Sequence, residues 1–508
     1  MPRSAATFEF FRDLLARDPA NAAVRADLAA ALLGAGAAEE AIEAASAALA
    51  AAPDLLGARL TRAEAYQRLL RPAEAIGDLR HAARLAPGRA AVAQALGTAL
   101  AATDRLAEAE TVLARAAALA PGDAAIAVSL GSVLLRQGKF APAEAACRRA
   151  LAVDPTLSEA HRNMAALLGG RDPAAARAHR DAGYRERQVF VEAAPAPDLT
   201  VLVPSAAGTG NVPTRYLFPA ATTSVIRWYV EYAAADQDRI LPRYDLIFNA
   251  IGDPDEAPDL PPAAARLFAA PPAPVLNPPD RVARTGRADL PRLLAAIPGI
   301  VVPEAVRASP ADPPAALLPA LVRPLGAHGG EGVRRVETAP QLAAALAAIG
   351  RAYVTRFEDT RDADGFYRKY RAIFVDRVPY AYHLAISPDW LVHYWTAGMA
   401  GDGARRAEEA RYLADPEAVL GAPALAALGA IGARLDLDFA GVDFARLADG
   451  RLVVFEANAT MLVHPEDDPV FAYRNAAVAR ILAAFAALCA RRRRAHSDGI
   501  SRISRPGS

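Results

Sequence analysis

The small and apolar residues in the first third of the chain recur with a period of 34 positions. Prolines mark this period at Pro19, Pro53, Pro87, Pro121 and Pro155. Between them, alanine returns at two fixed phases, at positions 41, 75, 109 and 143 and at positions 48, 82, 116 and 150. A fixed period of this length predicts a repeat architecture, in which each repeat buries its apolar face only against its neighbours.

The 34-residue pattern resembles the tetratricopeptide repeat (TPR), which implies two antiparallel helices in each repeat. We count four full repeats over about 22–157, a leading helix before Pro19 and a closing helix over about 158–190. The sequence therefore predicts an all-α solenoid over residues 1–190. Such stacks usually present a concave face to a protein or peptide, so we expect partner recruitment here. A spacer or a dimerisation arm is the alternative.

The pattern changes after a proline-punctuated linker, which we predict at 191–198. Residues 199–204 and 244–251 are short apolar runs typical of buried strands, and helical spans separate them. This alternation predicts an α/β domain over 199–275. Its first turn, at 205–211, could bind an anion through backbone N–H groups or serve as a plain turn.

A predicted β-hairpin near the C-terminus carries the most informative chemistry. Residues 442–447 alternate between apolar and polar, 448–450 supply a turn, and 452–455 form an apolar run. Asp443 lies on the first strand, while Glu456 and Asn458 end the second and share one face. Two carboxylates and an amide are hard oxygen donors that suit Mg²⁺. A solvated acidic hairpin is the alternative.

This hairpin resembles the metal-binding end of the ATP-grasp ligases, such as D-alanine–D-alanine ligases and glutathione synthetases. The family pattern is an Asp on one strand and a Glu-x-Asn that ends the next. The resemblance implies an α+β ATP-grasp fold over 276–490, with ATP as a cofactor. It also implies Mg²⁺ or Mn²⁺ on Asp443, Glu456 and Asn458.

A glycine-rich loop follows a predicted strand that ends in Arg323. Glycines allow backbone N–H groups to approach phosphate oxygens, and an arginine fork can bind them. The loop, with Gly326, Gly329, Gly330 and Gly332, resembles the ATP-grasp phosphate loop. The family usually has Lys in place of Arg323, and Arg keeps the charge but not the shape. Upstream, the resemblance implies a basic residue that faces ATP. Arg287 is our candidate, and Arg284 is the alternative.

Two further segments complete the predicted ATP site. The segment 353–358 resembles the family's linker between its two sheets, which implies that Thr355, Arg356, Phe357 and Glu358 lie along the adenine. An ordinary buried strand is the alternative. Lys369 and Arg371 are two residues apart and share a face. Arg371 resembles the strand Arg that meets the transferring phosphate or the acyl phosphate, and is our catalytic candidate. Lys369 is a phosphate ligand or a solvated edge lysine.

Other polar segments carry less chemistry. His383 and His393 are ten residues apart, a spacing that fits no standard zinc pattern, so we expect core or substrate-side histidines. Residues 398–409 predict a mobile loop. The arginines at 491–494 and the tail to residue 508 predict a disordered basic end.

The composition excludes several partner classes. The chain has 57 basic and 57 acidic residues, so it has no net attraction to nucleic acid or membrane. No uninterrupted apolar run reaches the ~18 residues of a membrane span. The first residues lack the apolar region of a signal peptide. The chain contains only two cysteines and two lysines. We therefore expect a cytoplasmic protein.

Together these patterns predict an ATP-dependent ligase that joins a carboxylate to an amine or thiol through an acyl phosphate. The substrates would be small-molecule or peptide carboxylates and amines, and the TPR region would bind a protein or peptide. One alternative is a non-catalytic TPR adaptor with a degenerate nucleotide-binding domain. Another is an ATP-dependent kinase of a small molecule.

Overall fold

The structure is a computed structural model that describes residues 2–69, 71–194, 196–257, 259–326, 330, 332–394 and 396–503, with side chains within 7–496. The chain divides into two compact units. The first comprises Met1–Gln188 with Ala193–Pro195, and the second comprises Val189–Glu192 with Ala196–Ser508.

Among the described residues, eleven α-helices form the first unit. They are α1 (Pro2–Arg17), α2 (Ala22–Gly34), α3 (Ala38–Ala51), α4 (Leu56–Arg68), α5 (Pro72–Leu85), α6 (Ala90–Ala102), α7 (Leu106–Leu119), α8 (Ala124–Arg136), α9 (Phe140–Val153), α10 (Ser158–Leu168) and α11 (Pro173–Tyr184). Helices α2 to α9 pack as four consecutive pairs, as the period predicts, and α1 precedes them. The predicted solenoid of TPR-like repeats is confirmed.

The repeat phases are explained by close helix crossings. The alanines of both phases are fully buried. At a third phase, a Cβ added to Gly97 would lie 2.5 Å from Cγ of Leu113, and one added to Gly131 would lie 2.8 Å from Sγ of Cys147. The predicted single closing helix over 158–190 is wrong, because Asp172 caps a new helix there and α10 and α11 form a fifth pair.

The second unit begins with a five-stranded sheet. Its strands are β1 (Val189–Glu192), β2 (Leu199–Ser205), β3 (Thr223–Tyr229), β4 (Leu246–Phe248) and β5 (Val275–Leu276), and α12 (Pro262–Ala269) lies between β4 and β5. The order is β1-β3-β2-β4-β5, with all pairs parallel except β1 with β3. β1 therefore occupies the start of the predicted linker. In the turn after β2, the Ala207 N–H donates to the carboxylate of Glu231, so this backbone donor of the turn already has a partner.

A second, four-stranded sheet has the order β7-β10-β8-β9. Its elements are β7 (Ala305–Ala308), β8 (Ala320–Pro324), β9 (Arg334–Val336), α15 (Ala339–Ile349) and β10 (Ala352–Arg356). The helices α13 (Pro279–Val282) and α14 (Leu290–Leu294) and the strand β6 (Ile300–Val301) precede it. Leu342 and Leu346 of α15 pack with Val322 and Val354 in a small core that supports this sheet.

The third sheet has the order β12-β11-β13-β14-β6. Its elements are β11 (Tyr367–Val375), β12 (Val378–Ser387), α16 (Gly403–Ala414), α17 (Pro416–Leu420), α18 (Ala422–Leu435), β13 (Phe439–Arg446), β14 (Leu452–Asn458) and α19 (Asn475–Ile503). Phe485 of α19 packs edge-on against Phe248 of the first sheet and Phe439 of the third. The helix therefore joins the two sheets in one core.

Two predictions for polar segments are wrong. Residues 403–409 belong to α16 rather than to a mobile loop, because Glu409 is fully buried and hydrogen-bonded to Tyr394 and Tyr473. Residues 491–503 are helical rather than disordered. Arg491 pairs with Asp376 and Arg492 with Asp438, so part of the basic run has internal partners.

By length and composition alone, the segment Pro469–His496 is apolar enough to cross a membrane. The core helix of a soluble protein can meet the same criterion of length and apolar composition. Ile481, Phe485 and Leu488 on its buried face pack in the largest core of the second unit.

Candidate functional site

Asp443 and Glu456 face each other across β13 and β14. They are register partners in an antiparallel pair, as the hairpin pattern predicts. A bulge follows Asp443, so β14 carries an extra residue, Phe455, which lines the cavity next to the hairpin. Asp443 is buried, whereas the Glu456 side chain is 24% exposed towards this space. The two carboxylates thus lie on neighbouring strands and line the same cavity.

Both carboxylates are ionised because basic side chains outweigh their burial. Burial alone would raise the pKa of Asp443, but Arg371 and Lys369 hold it at about 2. Arg371 donates from Nε to Oδ1 at 2.5 Å and from Nη2 to Oδ2 at 2.8 Å, and Lys369 Nζ lies 3.5 Å from Oδ2. Burial and Asp443 oppose ionisation of Glu456, and Arg287, which donates at 2.6 Å, lowers its pKa overall.

Arg323 lies at the same site without a partner. Its side chain forms no hydrogen bond or ion pair with a described residue. Burial lowers the pKa of its guanidinium to about 10, and the neighbouring charge of Arg287 adds to the effect. The charges of Glu456 and Asp443 act in the opposite direction but do not outweigh burial, so this partly buried cation would be stabilised by a further anion.

Two adjoining cavities contain almost all of the predicted site residues. The first, of about 190 Å³, is lined by Arg287, Arg323, Gly330, Thr355, Arg356, Phe357, Glu358, Lys369, Arg371, Asp443 and Glu456. The second, of about 270 Å³, shares Arg287, Arg323, Arg371 and Glu456 and adds Gly326 and Asn458. Gly332 and the alternative Arg284 line neither cavity. Gly329 lies outside the described residues.

The glycine-rich loop needs glycine for its backbone. Gly326, Gly330 and Gly332 have φ angles of 70°, 86° and 67°, which L side chains rarely adopt. A Cβ on Gly326 would also lie 2.4 Å from Oε1 of Glu256. These three positions therefore favour glycine for conformational reasons, and at Gly326 for steric ones as well.

The predicted adenine segment lines the first cavity, but its side chains have specific neighbours. The guanidinium of Arg335 lies 4.0 Å from the ring centroid of Phe357, and Trp390 meets this ring edge-on at 6.0 Å. Arg356 pairs with Glu304 at 3.7 Å and donates to the Ala316 carbonyl. One face of Phe357 is thus covered by a protein cation.

Asn458 differs from the two carboxylates. Its Oδ1 accepts hydrogen bonds from N–H and Oγ1 of Thr460, and the residue lines only the second cavity. Asp443 lines the first cavity and Glu456 lines both. The three predicted metal ligands therefore converge only in part, and Glu456 is the group common to the two spaces.

The chemistry of the site fits a hard divalent cation. Asp443 and Glu456 are ionised oxygen donors on opposite strands, and Mg²⁺ is usually bound by one or two carboxylates together with substrate phosphates. Within the described part of the chain, no group of three or more His, Cys, Asp or Glu forms a complete protein-only metal cage. A cation held by Asp443 and Glu456 would therefore need further ligands beyond the described residues.

His393 is a site residue to which the sequence assigned no specific role. It lines both cavities, and burial with the charges of Lys369 and Arg371 lowers its pKa. In the sequence, the ten-residue spacing from His383 was the sole feature that drew attention to His393. A role for His393 is indicated only by the sheet, which places both histidines beside Lys369 and Arg371.

No family model matches the chain, and no curated protein matches it. Solved structures similar to its N-terminal third include YrrB, described as a TPR protein with an unusual peptide-binding site (20% identity, TM-score 0.31, covering 34% of this chain and 90% of that chain). They also include the MamA protein (24% identity, TM-score 0.30, covering 32% of this chain and 89% of that chain). A third is pilF of Pseudomonas aeruginosa (26% identity, TM-score 0.30, covering 33% of this chain and 77% of that chain). The matches to these three structures each cover about a third of this chain.

Proposed function

We propose that the second unit is an ATP-dependent ligase of the ATP-grasp type, which joins a carboxylate to an amine or thiol. The observation that carries this proposal is the unpartnered Arg323 beside the opposed carboxylates Asp443 and Glu456. An arginine without a direct ion pair, next to two ionised oxygen donors, is an arrangement that suits phosphate and a divalent cation bound together.

The charge of the site supports a nucleotide. The lining of the first cavity has an excess of three positive charges, since it contains six basic residues (Arg287, Arg323, Arg356, Arg368, Lys369 and Arg371) and three acidic ones (Glu358, Asp443 and Glu456). A nucleoside triphosphate with its divalent cation carries net negative charge, so binding would compensate the excess. Asp443 and Glu456 would hold Mg²⁺, with Asn458 at the edge of the set.

The proposed mechanism uses the chain for positioning and charge stabilisation. The bound Mg²⁺ supplies neutralisation of phosphate charge. Arg323 and Lys369 bind phosphate oxygens. Arg371 orients the substrate carboxylate, whose oxygen attacks the γ-phosphorus while the bond to ADP breaks. An amine then attacks the acyl carbon, phosphate leaves, and the amine nitrogen loses a proton.

ADP release in the presence of hydroxylamine tests this proposal. Hydroxylamine captures an acyl phosphate as a hydroxamate, which is measured by mass spectrometry. We expect ADP and hydroxamate to form together only when a carboxylic acid and Mg²⁺ are present. ADP release with a stable phosphorylated product would indicate a kinase and overturn the ligase proposal.

A non-catalytic adaptor is the second candidate, and the ion pairs of the site favour it. Arg371 and Arg287 already occupy Asp443 and Glu456, and Thr460 occupies Asn458 Oδ1. A degenerate site could keep these pairs in the presence of nucleotide. Mg-ATP that binds without turnover, in the presence of a broad set of acids and amines, would identify the adaptor.

We also propose that the helical repeats recruit a protein or peptide partner. Stacked helix pairs create an extended surface that binds such partners. Removal of residues 1–188 should leave ADP release by the second unit intact and abolish co-purification of the partner. Loss of ADP release by a folded second unit would contradict this separation of roles.

A further inference from the structure

Two histidines contact each other in the last helix pair of the first unit. Nδ1 of His161, on α10, lies 2.8 Å from Nδ1 of His179, on α11, and the two ring centroids are 5.0 Å apart. Nε2 of His161 lies 2.8 Å from the carbonyl oxygen of Pro155. Both side chains are half-buried. Two titratable rings that belong to neither cavity of the proposed ATP site therefore join α10 to α11.

The partners of the two rings determine where the protons lie. A carbonyl oxygen can only accept, so Nε2 of His161 carries a proton, and Nδ1 of the neutral ring is then an acceptor. Nδ1 of His179 is therefore the donor. A first added proton can bind Nε2 of His179 without disturbing this hydrogen bond. A second must bind Nδ1 of His161, which would place two N–H groups and two positive charges face to face.

The surroundings of the contact also oppose added positive charge. Burial lowers the pKa of His179, and the charges of His161 and of Arg148, on the packed helix α9, lower it further. Arg148 itself pairs with Glu144. The other charged residues of α10 and α11 are Glu159, Arg162, Arg177, Arg180 and Asp181. Glu159 accepts a hydrogen bond from Ser132 of α8, and Arg162 donates to a backbone carbonyl of α11.

The pair of histidines distinguishes this helix pair from the other repeats. At the phase of His161, two earlier repeats have Arg25 and Arg59, and each donates to the carbonyl of the proline six positions before it, as His161 does. At the phase of His179, positions 43, 77, 111 and 145 hold Glu, Gly, Thr and Ala. The link to the proline carbonyl thus recurs, whereas the contact between two imidazole rings belongs to the fifth pair.

The helix α11 has little apolar surface to hold it against α10. Of its twelve residues, Ala176, Gly183 and Tyr184 are buried. At its end, the Gly183 carbonyl accepts a hydrogen bond from Arg162 at 3.1 Å. Elements with few buried apolar contacts open locally at a low free-energy cost. Loss of the histidine contact is therefore expected to change how often α11 opens.

We propose that the contact between His161 and His179 is an acid-sensitive clasp, which keeps α11 docked on α10 at neutral pH and releases it when both rings are protonated. Released α11 binds two protons at low pH, whereas docked α11 binds at most one. Docking therefore weakens as the pH falls below about 6.5, the ordinary pKa of histidine. Because α11 is the last helix of the first unit, its release leaves the four pairs α2 to α9 in place and uncovers α10.

Hydrogen exchange of the full-length protein, measured by mass spectrometry between about pH 8 and about pH 5, tests the proposal. Rates are corrected for the intrinsic pH dependence of exchange. A difference of one bound proton predicts that protection of the α11 amides falls about tenfold per pH unit below about pH 6.5, while the amides of α8 keep their protection. An equal pH dependence in α11 and α8, or an α11 that is already unprotected at pH 8, would overturn the proposal.

Three variants attribute the effect to the two rings. His179→Gln and His161→Gln each leave one titratable ring, so the protection of α11 should no longer depend on pH more than that of α8. Low but pH-independent protection in either variant supports the clasp equally. His81→Gln is the control, because His81 contacts Asp54 in another repeat, and it should keep the wild-type behaviour of α11. A wild-type pH dependence in both His179→Gln and His161→Gln would show that other groups control α11. If neither variant folds, the comparison of α11 with α8 in the wild type remains decisive.

Discussion

Asp443 and Glu456 lie opposite each other on β13 and β14, and each is neutralised by a different arginine. Arg371 reaches Asp443 from the adjacent strand β11, while Arg287 reaches Glu456 from the segment that precedes the second sheet. The pair is therefore held ionised despite its burial. A cation that binds at these carboxylates would compete with the arginines for their oxygens.

Glu456→Gln tests the role of this carboxylate. The change keeps the shape of the side chain but removes a charged oxygen donor, so we expect ADP release to fall by about 100-fold or more and the dependence on Mg²⁺ concentration to shift upwards. Initial rates of ADP release across a magnesium titration provide the measurement. Glu417→Gln, on the exposed part of α17, is the control. Unchanged rates and magnesium dependence in Glu456→Gln would remove the enzymatic interpretation.

Arg323→Met should have opposite effects on the free protein and on nucleotide binding. Removing an enclosed charge without a partner should leave the free energy of unfolding unchanged or raise it by about 1–3 kcal/mol. Loss of a phosphate ligand should weaken Mg-ATP binding by about tenfold or more. All three tryptophans lie in the second unit, so urea unfolding followed by tryptophan fluorescence reports this unit alone.

Arg323→Lys is the matched variant, since it restores the charge and the residue type usual in the resembling family. It should recover most of the Mg-ATP affinity and lose any gain in stability. A strongly destabilised Arg323→Met protein would contradict this account, because it would mean that the guanidinium has a structural partner.

The local parts of the site could be predicted from sequence, and the long-range pairs could not. The alternating pattern and the turn at 448–450 specify the hairpin, and residue spacing places Glu456 with Asn458. The contact between Arg371 and Asp443 depends on the register of β11 against β13, and that between Arg287 and Glu456 joins residues 169 positions apart. Neither contact is encoded within a short stretch of sequence.

The wrong predictions have the same origin. Glu409 belongs to a polar stretch that is typical of a loop, but Tyr394 and Tyr473 lie in other segments and bury it within α16. Arg491 and Arg492 belong to a basic run that is typical of a disordered end, but Asp376 and Asp438 supply their counter-charges. Composition cannot indicate partners that only the fold brings close.

His383 should make the stability of the second unit sensitive to acid. Burial and the surrounding cations lower its pKa well below 6.5 in the folded state. Below the unfolded pKa, the unfolded chain binds a proton that the folded chain does not, so stability falls as pH falls. The expected loss for this residue is about 1.4 kcal/mol per pH unit below about 6.5, and it ends only at the folded pKa.

The wild type and His383→Phe are compared by urea unfolding with tryptophan fluorescence between about pH 8 and about pH 5, a range that spans the unfolded pKa of histidine. We expect the wild-type stability to fall more steeply than that of the variant, with equal slopes above pH 7. His496→Phe should keep the wild-type slope. Parallel curves for wild type and His383→Phe over the whole range would show that the buried ring does not titrate differently on unfolding.

Two helical glycines in the first unit should respond oppositely to alanine. A Cβ on Gly97 would lie 2.5 Å from Leu113, whereas one on Gly77 has no neighbour within 4 Å. Gly97→Ala should therefore destabilise the repeats by about 1–3 kcal/mol through overpacking. Gly77→Ala should stabilise them by about 0.5–1 kcal/mol, because alanine has the higher helix propensity.

Far-UV circular dichroism in urea measures both changes. Tryptophan fluorescence, which reports the second unit, should shift in neither variant. If both substitutions stabilised the repeats equally, the crossing of α6 and α7 would not require glycine at position 97.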